Sequence, residues 1–83
     1  MKLYYVYLLR DQNKKIYIGY TENLERRFCE HSAKKVYYTK RLNNPQIYYF
    51  EAYVDEIMAK ERERKLKQYG SAYMGLMKRI GLK

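Results

Sequence analysis

Continuous and alternating apolar residues predict two strands at the start of the chain. Residues 3–9 are aliphatic, aromatic or β-branched throughout, which is typical of a strand, and residues 15–18 predict a second. Between them, residues 11–13 supply the polar side chains that favour a tight turn. Gly19 would end the second strand. The opening of the chain is therefore expected to be a β-hairpin.

The length of that turn sets which side chains face each other. A three-residue turn pairs Arg10 with Lys14, and this register places Tyr7 opposite Tyr17 on one face of the hairpin. A turn one residue longer would put the two tyrosines on opposite faces. We expect the shorter turn, with both tyrosines on the same face.

A helix is predicted after the hairpin. Thr21 or Asn23 can cap it, and the apolar spacing carries it to about His31. His31 lies on the apolar stripe, and Arg27 lies at its edge. Arg26 falls on the solvent side, so the two neighbouring arginines are expected to have different surroundings.

The second half of the chain predicts a loop, a third strand and two further helices. Residues 33–45 are basic and polar, and residues 46–53 are again typical of a strand. Good helix formers follow over residues 56–69, and Ser71 can cap a last helix over residues 72–80. The order predicts one α+β domain spanning residues 1–83, with a three-stranded antiparallel sheet flanked by helices (β-β-α-β-α-α).

Composition narrows the class of protein. The 83 residues carry 18 Lys and Arg against 9 Asp and Glu, a formal charge of +9, which suits a polyanion such as nucleic acid. With 12 tyrosines the chain does not resemble a disordered basic tail. No apolar run could span a membrane, and no signal peptide is evident, so no membrane partner is expected. A single cysteine, Cys29, excludes a disulfide framework and a cysteine-based zinc cluster, and favours a reducing, cytoplasmic setting.

Two short motifs resemble the signature of the GIY-YIG endonuclease superfamily. They are Tyr5-Val6-Tyr7 in the first strand and Tyr17-Ile18-Gly19 in the second. Arg27 and His31 follow at the spacing that this family uses, and Glu63 follows on a later helix. The match covers nearly the whole chain and is similar to the small stand-alone branch found in bacteria and archaea. The resemblance implies a structure-directed endonuclease that hydrolyses phosphodiester bonds in DNA during repair or recombination.

The resemblance also implies a role for each residue of the motifs. Tyr7 and Tyr17 would orient or deprotonate the attacking water, with nearby cations lowering a tyrosine pKa, and Tyr5 is the alternative to Tyr7. Arg27 would give a bidentate guanidinium to the phosphate. His31 would relay a proton or hold the phosphate.

A metal ion would complete this set. Glu63 is implied as the ligand of Mg²⁺ or Mn²⁺, since one protein carboxylate with waters and phosphate oxygens is sufficient for Mg²⁺. Its alternative reading is an ordinary pair with Lys67 one turn later, and Glu61 is the alternative ligand. Arg62 falls on the apolar stripe of this helix, where it would be a structural partner for a carboxylate.

The remaining basic and aromatic residues predict how DNA is held. Gly19 would let the backbone approach a phosphate closely. The basic loop would grip the backbone and stack bases. The expected contacts beyond the catalytic residues are Gly19, Lys34, Lys35, Tyr37, Tyr38, Lys40, Arg41 and Lys67.

Two further functions remain open from the sequence. One is a nucleic-acid-binding module with weak or no catalysis, and the other is a subunit of a larger repair complex. The expected substrates are branched, nicked or single-stranded DNA. We expect target choice to come from nucleic-acid shape or from a protein partner, because a catalytic module of this size leaves no second domain for reading sequence.

Overall fold

Three strands form one antiparallel sheet with the first strand at its centre. The computed structural model describes residues 1–36 and 39–82. The strands are β1 (Tyr4–Arg10), β2 (Ile16–Thr21) and β3 (Gln46–Tyr53), in the spatial order β2-β1-β3. The helices are α1 (Leu24–Ser32), α2 (Glu56–Leu66) and α3 (Ser71–Arg79). The predicted α+β architecture is confirmed.

Apolar side chains are buried on both faces of the sheet. On one face, Val6, Leu8 and Ile18 pack with the buried residues of α2 and α3. On the other face, Tyr7 and Leu9 are almost fully buried, and Tyr7 contacts α1. The α1 side of the sheet therefore holds the tyrosine of the first motif.

The hairpin differs from the predicted register by two residues. Arg10 pairs with Ile16 rather than Lys14, so residues 11–15 form the turn. Asp11 stabilises this longer turn, because its Oδ1 accepts hydrogen bonds from the amides of Asn13 at 2.9 Å and Lys15 at 2.8 Å. The three-residue turn was therefore wrong. A shift of two residues keeps each side chain on its face, so both motif tyrosines still share one face.

Element ends also differ locally from the sequence expectations. β2 continues through Gly19 to Thr21 and does not end at the glycine. α2 ends at Leu66 rather than residue 69, where Tyr69 takes a left-handed conformation with φ 56°. Gly70 caps α3, and Ser71 lies inside that helix. Asn23 caps α1 as predicted, since its Oδ1 accepts from the amide of Arg26.

The connection between α1 and β3 is tied to the rest of the fold by polar contacts. Lys34 Nζ donates to the carbonyl of Leu42 at 2.9 Å and to that of Lys40 at 3.4 Å. The amide of Asn43 donates to Asp11 Oδ2 at 3.0 Å, which joins this connection to the hairpin turn. Within the described residues, no helix is long and apolar enough to cross a membrane.

Candidate active site

Three rings from the two motifs and from α1 form a cluster beside β2. Ring centroids of Tyr7 and Tyr17 lie 6.2 Å apart, and His31 lies 5.7 Å from Tyr7 and 5.2 Å from Tyr17. Tyr7 pairs with Gly19 and not with Tyr17, so the two tyrosines are diagonal neighbours. Tyr5, the alternative from sequence, packs edge-on against Phe50 instead. The structure thus places Tyr7 against the histidine.

A buried hydrogen-bond chain passes through the histidine. Tyr7 Oη lies 2.8 Å from Nε2 of His31, and Nδ1 of His31 lies 2.5 Å from Oγ1 of Thr39. The Thr39 hydroxyl can donate to the carbonyl of Val36 at 3.4 Å. In a neutral imidazole this assigns the proton to Nδ1, which donates to Thr39, and leaves Nε2 to accept from Tyr7. His31 and Thr39 are both fully buried.

Burial keeps both His31 and Tyr7 neutral. Burial lowers the pKa of His31 to about 4, and the positive charge of Arg27 adds to the effect. Burial raises the pKa of Tyr7 and Tyr17 adds to the rise, while Arg27 opposes it. The expectation that nearby cations lower the pKa of this tyrosine is therefore wrong for Tyr7. Because His31 is fully buried, direct contact with a phosphate is also excluded for it.

The buried neutral histidine predicts a loss of stability in mild acid. The pKa of His31 is about 6.5 in the unfolded chain and about 4 when folded, so the unfolded state binds more protons between these values. Stability is complete above pH 6.5 and falls as the pH drops towards 4. At pH 5 the loss is on the order of 2 kcal/mol, which corresponds to a decrease of about 10 °C in melting temperature.

Thermal unfolding of wild type and of His31→Gln between pH 7.5 and 5 measures this effect. His31 is the single histidine of the chain, so the variant removes the group that titrates in this range. We expect a clearly shallower pH profile for the variant. Equal profiles for the two proteins would contradict the buried neutral imidazole.

Gly19 makes room for Tyr7. A Cβ atom at position 19 would clash with Cζ and Oη of Tyr7 and would lie 2.8 Å from Cε1 of the same ring, closer than real Cβ atoms approach other atoms. The absence of a side chain at position 19 therefore lets the Tyr7 ring cross the neighbouring strand. The predicted approach of a phosphate to this glycine is blocked on that face by the tyrosine.

Arg27 borders the ring cluster, as the helical spacing predicts. Its side chain is 35% exposed, against 64% for Arg26. Nη1 of Arg27 donates to Oε1 of Glu30 at 2.9 Å, and this bond, with a smaller contribution from Tyr7, raises the pKa of Arg27. Its Nε atom is buried and has no hydrogen-bond partner among the described residues. The guanidinium is thus anchored at one end, and the donors that could reach a ligand are those on its Nη atoms, since Nε is buried.

The second helix brings a carboxylate and an ammonium group to the same place. Lys67 Nζ lies 5.8 Å from the centroid of the Tyr17 ring and 3.1 Å from Oε2 of Glu63. The negative charge of Glu63 also contributes to the raised pKa of Tyr7. Both readings of Glu63 from the sequence are therefore compatible with the structure, since it pairs with Lys67 and lies within electrostatic reach of Tyr7.

The donors near the ring cluster meet only part of what a divalent cation requires. No group of three or more His, Cys, Asp or Glu side chains capable of holding a metal occurs among the described residues. Among the described carboxylates near the ring cluster, Glu30 is paired with Arg27 and Glu63 with Lys67. Glu63 offers one hard oxygen ligand from α2, and Mg²⁺ accepts one or two carboxylates with waters and phosphate oxygens as its other ligands. The residues fit a cation held jointly by protein and substrate and do not fit a closed metal site.

The predicted DNA contacts fall into separate groups. Lys35 and Arg41 are exposed on the connection after α1, and Lys67 lies beside the ring cluster, over Tyr17. Lys34 differs from expectation, because its ammonium group holds two carbonyls of the loop. Lys40 is exposed on the same loop. Tyr37 and Tyr38 lie outside the described residues.

The sequence reasoning missed Thr39. This residue lies in the middle of the basic connection, and no motif or periodicity distinguishes it from the neighbouring polar residues. Its contact with His31 joins residues eight positions apart through a loop, and only the folded chain shows it.

Comparisons with known proteins show the family to which this chain is related. A family model described as the GIY-YIG catalytic domain matches residues 3–76. A UPF0213 protein of Haloquadratum walsbyi is 34% identical over 67 residues, covering 80% of this chain and 75% of the relative. A UPF0213 protein encoded in the VLF1-GP41 intergenic region of Autographa californica nuclear polyhedrosis virus is 37% identical over 79 residues, covering 90% and 74%.

A solved structure shares the fold. The solution NMR structure of a UPF0213 protein from Bacillus halodurans superposes with a TM-score of 0.57 at 24% sequence identity, covering 90% of this chain and 81% of that one. The range matched by the family model, residues 3–76, spans both tyrosine motifs, α1 and α2. The chain therefore belongs to the GIY-YIG family.

Proposed function

We propose that this protein is a metal-dependent endonuclease that hydrolyses phosphodiester bonds in DNA. One observation carries the proposal: the Tyr7 hydroxyl, bonded to a neutral buried His31, lies beside the partly exposed guanidinium of Arg27, which Glu30 holds at one end. A group that orients the attacking water and a preorganised cation both promote attack of water on a phosphodiester.

Arg27 stabilises the charge that develops on the phosphate. Glu30 holds one end of the guanidinium, so the group is oriented before substrate arrives. The remaining N–H groups of its planar fork can donate to two nonbridging oxygens. Preorganised donors of this kind contribute most where charge grows in the transition state.

Tyr7 and His31 position the attacking water. The oxygen of Tyr7, fixed by the hydrogen bond of its hydroxyl to Nε2 of His31 2.8 Å away, accepts a hydrogen bond from the water, which gives its proton to solvent. The water oxygen bonds to phosphorus, the bond from phosphorus to the 3′ oxygen breaks, and that oxygen takes a proton from solvent. Tyr17, adjacent to both rings, orients the water.

Glu63 would hold a Mg²⁺ or Mn²⁺ ion at this site. When bound, such an ion supplies positive charge near the nonbridging oxygens and the leaving oxygen. Lys67, 3.1 Å from Glu63, presents a further cation to the DNA backbone.

The exposed basic residues support a structure-directed mode of DNA recognition. Lys35 and Arg41 offer exposed positive charge on a loop, and Lys67 adds charge just after the end of α2. Contacts of this kind follow the backbone and are independent of sequence. Branched, nicked or single-stranded DNA in repair or recombination fits this mode, with any sequence choice left to a protein partner.

A panel of labelled substrates tests the proposal. Intact duplex, nicked duplex, a branched junction, single-stranded DNA and RNA of matching sequence are each incubated with Mg²⁺, with Mn²⁺ or with a chelator. We expect metal-dependent nicking activity that co-elutes with the protein during purification. Nicking should be fastest on the nicked, branched and single-stranded DNA. Tight binding without product in either metal would contradict the endonuclease and indicate a binding module.

A further inference from the structure

The contact between α2 and the sheet is narrow. Of the α2 residues only Ala59 and Leu66 are buried, while Ile57 and Met58 are 77% and 58% exposed. Ala59 and Leu66 are seven positions apart and lie on one stripe, so the apolar contact is a single line. Such a contact resists separation of the helix from the sheet but gives little resistance to rotation about the helix axis.

Two polar contacts add constraints on this rotation. Tyr20 of β2 donates to Oε2 of Glu56 at the start of α2, at 2.8 Å, and Arg62 makes a second contact one residue before Glu63. Arg62 lies on the same stripe between the two buried residues and meets Glu51 of β3 through two parallel hydrogen bonds. Nε donates to Oε1 at 3.0 Å, and Nη2 donates to Oε2 at 2.9 Å. A bidentate pair fixes an orientation as well as a distance. The side chains are 25% and 13% exposed, so water competes weakly for these bonds.

The carboxylate of Glu51 is itself held from both sides. Tyr49 donates to Oε2 and Tyr53 to Oε1, each at 2.6 Å, from positions two residues away on the same face of β3. Burial alone would raise the pKa of Glu51, but the hydrogen bonds from Arg62, Tyr49 and Tyr53 lower it overall. The acceptor is therefore a fixed, charged group on the rigid sheet.

We infer that Glu51 and Arg62 are positioning residues, whose ion pair sets the rotation of α2 and so directs Glu63 towards a divalent cation. Glu63 follows Arg62 directly, about 100° further around the helix. A rotation of α2 by about 20° would move the Glu63 carboxylate by about 2 Å, as far as a whole bond between Mg²⁺ and oxygen. The inference rests on the proposed function only in taking Glu63 as the metal ligand.

Mn²⁺ titration followed by NMR tests this without using activity. In protein with ¹³C-labelled glutamate, bound Mn²⁺ broadens the signal of the Glu63 side chain. Arg62→Lys keeps the charge and removes the fork, and Arg64→Lys is the matched control. Arg64 lies on the same helix and donates to an exposed carboxylate, that of Glu61.

We expect the half-saturating Mn²⁺ concentration to rise about tenfold in Arg62→Lys, the lower end of the effect of removing a group that orients a metal ligand. Arg64→Lys should match wild type. Tyr53→Phe, which removes one hydrogen bond to Glu51 and keeps the ring, should show a smaller rise and serves in place of Arg62→Lys if that variant does not fold.

Two results would overturn the inference. One is a half-saturating concentration in Arg62→Lys or Tyr53→Phe equal to that of Arg64→Lys, even with a lower melting temperature. The other is no broadening of Glu63 in wild type. Failure of the proposed function is a separate result, because wild type that binds Mn²⁺ at Glu63 but cleaves no DNA still supports the positioning role.

Discussion

Glu63→Gln is expected to reduce metal-dependent DNA cleavage by about a thousandfold, because a bound cation contributes several kcal/mol of transition-state stabilisation. Glutamine keeps the size of the side chain and removes its charge. The loss of the pair with Lys67 costs at most about 1 kcal/mol of stability, since such pairs on a helix surface are weak. Single-turnover rate constants at saturating protein, measured over a range of Mg²⁺ concentrations, give the result.

Glu61→Gln is the matched control for this prediction. Glu61 lies on the same helix, and both of its oxygens accept hydrogen bonds from Arg64. Glu61 was the alternative metal ligand from the sequence, but it forms an exposed ion pair with Arg64, as a solvated surface residue does. We expect the variant to cleave within about twofold of wild type, as is usual for surface substitutions. Equal losses in the two variants would refute the assignment of Glu63 as ligand.

The order and type of the secondary structure elements were predictable because each has a local signal. Asn23, one of the two caps predicted for the first helix, does cap it, and the run of good helix formers predicted over residues 56–69 forms α2, which Asp55 caps. The third strand, Gln46–Tyr53, coincides with the run of aromatic and β-branched residues that predicted it. Helical spacing also separated Arg26 from Arg27, since 100° per residue is enough to place neighbours on different sides.

The register of the hairpin was not predictable, because it depends on contacts outside the hairpin. Asp11 binds two amides within the turn and the amide of Asn43 from a distant loop. These bonds stabilise a five-residue turn over the shorter one expected from composition. The tyrosines kept their common face only because the error was an even number of residues.

The structural roles of individual site residues were likewise not predictable from the sequence. Gly19 was expected to end a strand, yet it lies inside β2. Glycine is needed at this position because the Tyr7 ring occupies the space where a side chain would be. Glu51 has no motif around it, although it forms the ion pair that holds Arg62. The sequence did indicate that Arg62 would find a carboxylate. Identifying that carboxylate required knowing which strand α2 packs against.

Arg27→Ala is expected to lower the single-turnover cleavage rate by about 10²–10³-fold, the usual effect of removing one preorganised donor to a developing oxyanion. Arg26→Ala should stay within about threefold of wild type, since substitutions of solvated side chains have small effects. The two form a matched pair, because both side chains form ion pairs with Glu30, at 2.9 Å from Arg27 Nη1 and 3.8 Å from Arg26 Nε. They differ mainly in burial and in contact with Tyr7.

Rate and binding measurements together distinguish a catalytic arginine from one that only adds charge. If Arg27 acts in the transition state, Arg27→Ala loses rate at saturating protein while its affinity for DNA falls little. Arg27→Lys should recover binding but only part of the rate, because the ammonium group lacks the planar fork. Two results would show that Arg27 only binds the DNA backbone. One is a loss of cleavage rate in Arg26→Ala equal to that in Arg27→Ala, and the other is full recovery of the Arg27→Ala rate at saturating protein. The phosphate-activating role would then be refuted.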